Sequence, residues 1–117
     1  ENLDDLREEM CSERSSTQEF LEKSFGVCAV QSGVIAGWCL SEYNTALRCE
    51  IGIETRPAYR KRGLAAALTG ALVAEAFRRG VVEVGWDCFA RNIPSAATAR
   101  KAGFTLVEEY PAFVVLF

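Results

Sequence analysis

A strand, a basic turn and a long helix follow one another within residues 50–80, and this order limits the fold more than any other feature of the chain. The strand is apolar and alternating, with Ile51 and Ile53 on one face, and it ends at Pro57 because proline has no N–H to donate to a sheet. From Leu64 onward, leucines recur among alanines at a helical spacing, which predicts a helix that ends near residue 80. A strand that leads directly into a long helix indicates an α/β domain.

The turn between that strand and that helix has the composition of an anion-binding site. It reads RKRGLA over residues 60–65, so its cations stand immediately before the helix. The first N–H groups of a helix have no partner within it, and phosphate is the anion that such sites usually bind. Gly63 would let the backbone approach a ligand closely. Taken alone, the turn fits a solvated basic surface equally well.

Turn residues divide the rest of the chain into short elements. Strands are predicted at residues 25–31, 34–41 and 46–55, and short turns join them into an antiparallel meander. A further strand at 81–88 follows the long helix, and a strand–helix–strand crossover makes it parallel to 46–55. The expected fold class is therefore α/β (α+β), with a mixed sheet that is antiparallel first and parallel later.

Helices are expected on both faces of this sheet. An amphipathic pattern predicts a helix within residues 1–10, and the capping-box pattern at Ser16 predicts a second helix that ends near residue 24. Beyond the parallel strand, we expect a short helix at 95–102 and then strands at 104–110 and 112–117.

Composition narrows the class of protein. The chain has 117 residues, enough for one domain over 1–117, and its net charge of −3 argues against a general nucleic-acid surface. We expect no membrane association, because no apolar run approaches the length of a membrane span. The chain begins with Glu1 rather than methionine, so we expect a fragment or a processed product that lacks upstream sequence.

Five cysteines and no histidine restrict the chemistry further. The cysteine number is odd and no C-x-x-C pair occurs, which favours reduced thiols in a cytoplasmic protein. We expect no metal site, because the cysteine and carboxylate spacing supports none. A histidine-based catalytic triad is excluded.

Two segments together resemble the GNAT N-acetyltransferases. RKRGLA matches the family signature [QR]-x-x-G-x-[GA], which stands between a strand and a helix in that family. Further along, Asn92, Ser95 and Lys101 in NIPSAATARKAGF match the pattern of the second cofactor-contacting helix. The resemblance covers residues 25–117 and looks most like the GNAT subfamily that contains the zwittermicin A resistance protein.

The resemblance implies acetyl-CoA as co-substrate. In the family, the strands that correspond to 46–55 and 81–88 splay apart, and the pantetheine arm enters between them. The implied cofactor residues form three groups: backbone facing the pantetheine and thioester, the pyrophosphate turn, and the second helix. They are Ile53, Glu54 and Thr55; Arg60, Lys61, Arg62, Gly63, Leu64 and Ala65; and Asn92 and Ser95.

Acetyl transfer to an amine needs a base that removes the amine proton. Glu50 and Glu54 are the candidates, since alternation puts both on the strand face opposite Ile51 and Ile53. A half-buried carboxylate there could accept a proton directly or through water. The alternative is a pair of solvated strand glutamates.

The acid that protonates the leaving thiolate is less defined. Many GNAT enzymes use a tyrosine seven residues after the asparagine, and this chain has Ala99 there. Tyr110 is the substitute that we select, with Tyr59 and Cys88 as alternatives. Water or the attacking amine could also supply the proton.

The expected function is N-acetylation of a primary amine on a small molecule. The alternative is a non-catalytic acyl-CoA-binding module, which Ala99 favours. A different kind of phosphate-binding domain is less consistent with the turn, because it lacks the G-K-[ST] of nucleotide hydrolases. The apolar tail FVVLF leaves three alternatives: a buried strand, a homodimer edge, or the beginning of a longer domain.

Overall fold

The structure is a computed structural model that describes residues 3–11, 14–60, 63–88 and 91–106. Helices and strands alternate in groups, two helices first, then three strands, a helix, a strand and a last helix. They are α1 (Leu3–Met10), α2 (Thr17–Lys23), β1 (Gly26–Gln31), β2 (Val34–Glu42), β3 (Arg48–Thr55), a 3₁₀ turn (Pro57–Tyr59), α3 (Leu64–Arg78), β4 (Glu83–Gly85) and α4 (Ile93–Lys101).

The described strands form one mixed sheet in the order β1-β2-β3-β4. The pairs β1–β2 and β2–β3 are antiparallel, while β3 and β4 run parallel. The predicted fold class, a meander followed by a parallel pair, is therefore confirmed. The crossover through α3 makes this parallel pairing possible, because parallel neighbours need a long connection.

Three predicted elements after α3 differ from the structure. The strand predicted at 81–88 is wrong in length, because only Glu83–Gly85 pairs with β3 before the two strands diverge. The last helix begins at Ile93 rather than Ser95, with Pro94 in its first turn. Because backbone N–H groups in a first turn have no partner within the helix, proline breaks no helical hydrogen bond there. Residues 104–106 are not in a strand, and the rest of the predicted strands, 107–117, lies outside the described residues.

One hydrophobic core lies between the sheet and α3. Leu68, Leu72 and Ala76 on α3 pack with Cys39 of β2 and Cys49 of β3, among other buried residues. Both cysteines are fully buried, and burial raises the pKa of the Cys39 thiol to about 12. They therefore serve as small apolar core residues.

A second core lies on the opposite face, under α1 and α2. It joins apolar residues of the two helices to residues of β2: Leu6, Met10, Phe20, Ile35, Trp38 and Leu40. Strand alternation alone would put Ile35 and Trp38 on opposite faces. On β1, Val30 pairs with Ile35 and Ala29 with Gly37, so Ala36 has no register partner there. This β-bulge places the side chains of Ile35 and Trp38 in the same core.

Helices α3 and α4 end in the same hydrogen-bonded motif. After α3, Gly80 N–H donates to Phe77 O and Val81 N–H to Ala76 O, at 3.1 and 3.0 Å. Gly103 and Phe104 make the corresponding bonds after α4. Each pair satisfies two free carbonyls at a helix end, which is the Schellman arrangement.

The α3 core gives a direct stability test. Leu72→Ala removes a side chain that is 0% exposed and keeps a good helix former, so we expect a loss of about 2–5 kcal/mol in the free energy of unfolding. Leu21→Ala, at a leucine that is 68% exposed on α2, is the control and should change it by less than about 0.5 kcal/mol. Urea denaturation measures the free energy of unfolding of both variants. Equal losses for the two would show that Leu72 does not belong to the core.

Candidate active site

The carboxyl-terminal half of β3 has a backbone edge that faces away from β2. Pairing with β4 stops at Glu50 and Gly85, whereas β3 continues to Thr55. Arg56 N–H donates to Ala36 O on β2 at 2.8 Å. The N–H and C=O groups of successive strand residues point alternately to the two sides of a strand, so those of Ile53 and Thr55 point away from β2. Within the described residues, no residue of β4 pairs with this part of β3. The expected splay between the two parallel strands is therefore present.

The start of α3 lies just after this edge. Gly63 is the N-cap residue, with φ +77° and ψ 7°, in the left-handed region that favours glycine. The first helical bond runs from Ala67 N–H to Gly63 O at 3.1 Å, so the N–H groups of Leu64 and Ala65 precede the helical ladder. These backbone donors are the groups that the predicted anion site would use, and that assignment stays a prediction. Lys61 and Arg62, which we also assigned to it, lie outside the described residues.

Arg60 ties this turn back to the end of β3. Its Nε donates to Thr55 O at 2.9 Å, and its Nη2 donates to Glu54 Oε1 at 3.4 Å. The guanidinium is more than half exposed. A predicted phosphate-binding cation and a predicted base therefore contact each other in this structure.

The two candidate bases lie on the α1/α2 face of β3. Glu54 pairs in register with Trp38, and Glu50 with Glu42, while Ile51 and Ile53 face α3. The Glu50 side chain is 22% exposed and that of Glu54 is 42% exposed. Alternation therefore predicted their common face correctly, but only Glu50 is substantially buried.

Arg48 holds Glu50 in place. Its Nη1 donates to Glu50 Oε1 at 3.0 Å, and its Nε lies 3.3 Å from Glu83 Oε1 on β4. Gly85 leaves the necessary room, since a Cβ there would stand 2.9 Å from Glu50 Oε2. Our sequence analysis missed Arg48 and Glu83; the charge alternation along both strands was the available signal.

Asn92 and Ser95 are placed by contacts within the chain. The Asn92 side chain caps α4 by accepting from Ser95 N–H at 3.3 Å. The Ser95 hydroxyl accepts from Trp86 Nε1 at 3.0 Å, and Trp86 packs edge-on against Phe104. These bonds hold the start of α4 beside the end of β4. They also use the side chains of Asn92 and Ser95, which we assigned to the cofactor.

The candidate acids are dispersed. Ala99 is buried in α4 and brings no hydroxyl to the site. A cleft of about 330 Å³ has both Glu50 and Cys88 in its lining. Tyr59 lies beside Gly63 and Leu64 on the wall of a different groove. Tyr110, the acid that we selected, lies outside the described residues.

A second missed contact joins α1 to the end of β3. Asp5 on α1 forms an ion pair with Arg56, and the guanidinium of Arg56 lies 5.8 Å from the centre of the Trp38 ring. Such a pair, 51 residues apart in sequence, has no local signature. It places the acidic helix α1 next to Glu54, which is the register partner of Trp38.

The described residues contain neither a candidate membrane span nor a candidate metal cluster. None of their helices combines the length and apolar character that a membrane crossing requires. In the same residues, no three His, Cys, Asp or Glu side chains group as metal ligands would.

Comparison with known sequences identifies the family. The model of the family described as GNAT acetyltransferase matches residues 1–113, and the chain belongs to this family. The chain is similar to "Uncharacterized N-acetyltransferase YdfB" of Bacillus subtilis (strain 168), with 32% identity over 99 residues. That match covers 85% of this chain and 38% of YdfB, so the chain spans little more than a third of its relative.

Solved structures share the fold. The putative acetyltransferase yncA from Salmonella typhimurium, solved with its cofactor acetyl-CoA, gives a TM-score of 0.75 at 22% identity, over 86% of this chain and 61% of that one. Aminoglycoside N-acetyltransferase AAC(6')-Iy in complex with CoA gives 0.71 at 22% identity, over 86% and 83%. The mixed sheet with its splayed pair is thus the GNAT fold.

The geometry at Gly63 can be tested without any ligand. Gly63→Ala forces a Cβ into φ +77° although nothing lies within 4 Å of it, so we expect a loss of about 1–2 kcal/mol in unfolding free energy from backbone strain alone. Gly70→Ala is the matched control, equally open but inside α3, and should stabilise by about 0.5–1 kcal/mol. Urea denaturation reports both, and a stabilising Gly63→Ala would contradict this turn.

Proposed function

We propose that this chain is an N-acetyltransferase domain that transfers an acetyl group from acetyl-CoA to a primary amine of a small molecule. The observation that carries the proposal is the open backbone edge of β3 at Ile53 and Thr55, which leads into the anion-binding start of α3. In a chain of the GNAT acetyltransferase family, these two features support a site for a CoA thioester.

The residues present fit acetyl-CoA. The N–H groups of Gly63, Leu64 and Ala65 offer donors for a diphosphate, together with the cation of Arg60. The edge of β3 at Ile53–Thr55, with which no strand of the described residues pairs, offers donors and acceptors for the amides of a pantetheine arm. Bound there, the co-substrate supplies an acyl thioester, and an N–H of β3 directed at its oxygen would stabilise negative charge.

Glu54 is our first candidate for the base. It lies on the α1/α2 face at the point where the β3 edge opens, and its 42% exposure leaves room for an amine or a relaying water. Glu50 is more buried, and its carboxylate is bonded to Arg48 at 3.0 Å, so an incoming amine would reach it less easily than it reaches Glu54. This contrast favours Glu54 and leaves Glu50 as an orienting carboxylate.

The general acid is assigned to Tyr110, with Cys88 as the described alternative. Cys88 is half-buried and lines the same cleft as Glu50. Ala99 itself supports a second function, a non-catalytic acyl-CoA-binding module, because it removes the usual tyrosine hydroxyl from α4. Turnover distinguishes the two functions.

A cationic small-molecule amine suits the acceptor side. The helix α1 places Asp4 and Asp5 in its first turn, and Asp5 lies against the end of β3. Asp4 pairs with Arg7 and Asp5 with Arg56, but four carboxylates and one arginine leave α1 net negative, which would attract a cationic amine. An aminoglycoside N-acetyltransferase shares the fold, and we extend this substrate class to the present chain as a proposal. The five free thiols fit a cytoplasmic setting.

Calorimetry with acetyl-CoA is the first test of the cofactor. We expect one acetyl-CoA per chain, with a Kd on the order of micromolar to submillimolar, because donors for both diphosphate and pantetheine are present. Desulfo-CoA should bind comparably. ATP should bind far more weakly, since it has phosphates and adenine but no pantetheine arm. Equal affinity for ATP would mean that the chain binds only the phosphates and that the edge of β3 does not bind a pantetheine arm.

The base assignment is tested by turnover. Glu54→Gln should lower kcat by about 10²–10⁴-fold and retain acetyl-CoA binding, because a neutral amide cannot accept the amine proton. Glu50→Gln should lower it less. Glu75→Gln is the control, at the far end of α3 where the glutamate pairs with Arg78 and Arg79, and it should stay near wild type. Thiol release with a panel of amines measures all three.

If Glu54→Gln turned over normally while Glu50→Gln did not, the roles of the two carboxylates would be exchanged. If the wild-type chain bound acetyl-CoA and released no thiol with any amine, the non-catalytic module would replace the transferase proposal.

A further inference from the structure

Arg60 makes both of its described side-chain hydrogen bonds with groups that the proposed reaction needs. Nη2 binds the carboxylate of Glu54, our candidate base, at 3.4 Å. Nε binds the carbonyl of Thr55 at 2.9 Å, on the backbone edge assigned to the pantetheine arm. In this conformation a single guanidinium therefore occupies both the base and part of the cofactor edge.

The pair with Glu54 is easily displaced. Arg60 is 56% exposed and Glu54 is 42% exposed, and exposed ion pairs contribute little to stability because water competes for both partners. A diphosphate at the start of α3 carries more charge and offers bidentate acceptors, for which a guanidinium is well suited. Arg60 is three residues before Gly63, so it lies within the same turn.

We propose that Arg60 is an interlock between the two substrates: it covers Glu54 and the Thr55 carbonyl in the free chain, and it releases both when it turns to the diphosphate of bound CoA. This inference rests on the proposed function, since it concerns the same cofactor site. Arg60 acts here as a positioning residue that makes the base available only in the cofactor complex. No bond is made or broken covalently in this step.

The interlock has a consequence that a simple phosphate contact lacks. Cofactor binding must break the Arg60–Glu54 pair, so Glu54 opposes CoA binding even though it belongs to the active site. Removing its charge should therefore tighten CoA binding while it impairs turnover. The Glu50–Arg48 pair has no such link, because neither residue contacts Arg60 among the described contacts.

A double-mutant cycle on CoA affinity tests this coupling without using activity. In the full chain, we expect Glu54→Gln to lower the Kd for CoA by about 1.5- to fivefold, the range that an exposed ion pair supplies. In the Arg60→Gln background the same substitution should change the Kd by less than about 1.3-fold, because the pair is already absent. Glutamine is chosen since the family signature permits it at this position.

Long-range repulsion between Glu54 and the CoA phosphates is the competing explanation. It would give the same gain in both backgrounds, because it does not depend on Arg60. Glu83→Gln is the matched control, an exposed glutamate that pairs with Arg48 instead of Arg60. It should leave the Kd unchanged at about 0.1 M salt, where charges more than about 10 Å apart are screened.

Each outcome of the calorimetry decides a separate point. A gain for Glu54→Gln that disappears in the Arg60→Gln background supports the interlock. A gain of equal size in both backgrounds, or no gain in either, overturns the interlock and leaves the transferase proposal intact. Absence of CoA binding by the wild-type chain would overturn the proposed function, and the interlock with it.

Discussion

The divergence of β3 from β4 is the constraint on which the rest of the site depends. The two strands share only three register pairs, and the last of them joins Glu50 to Gly85. Beyond that pair β3 keeps its bonds to β2, whereas no strand among the described residues pairs with its other edge. An unpaired edge in a sheet interior is costly unless something else binds it. This backbone geometry supports the proposed binding of an extended, amide-containing ligand at the edge of β3.

Helix α3 makes this divergence stable. Its buried face, with Leu72 at its centre, packs across β1, β2 and β3 and fixes the direction in which the helix leaves the sheet. Because Gly63 adopts a left-handed conformation, the chain can turn sharply from the 3₁₀ segment into that helix. The helix start and the strand edge are thus held together by one packed core, so their donors can act on one ligand.

Charges are arranged asymmetrically around this framework. Arg48 joins Glu50 to β4 below the divergence, whereas Arg60 binds Glu54 above it. The first pair is partly buried and the second is exposed, so the second is much easier to open. Two glutamates that look equivalent on one strand face therefore have different environments, and this difference supports assigning them different functions.

Local signals in the sequence were sufficient for the element order of the described residues, the mixed sheet and the common face of Glu50 and Glu54. Each depends on periodicity or on the backbone preference of a glycine or proline, which act within a few residues. Only the tertiary structure decided the length of β4 and which arginine pairs with each glutamate. It also brought Asp5 to Arg56 and Trp86 to Ser95. Those contacts depend on where distant segments meet in space. They are set by the packing of α1, α3 and α4 on a twisted sheet, and no local pattern encodes that packing.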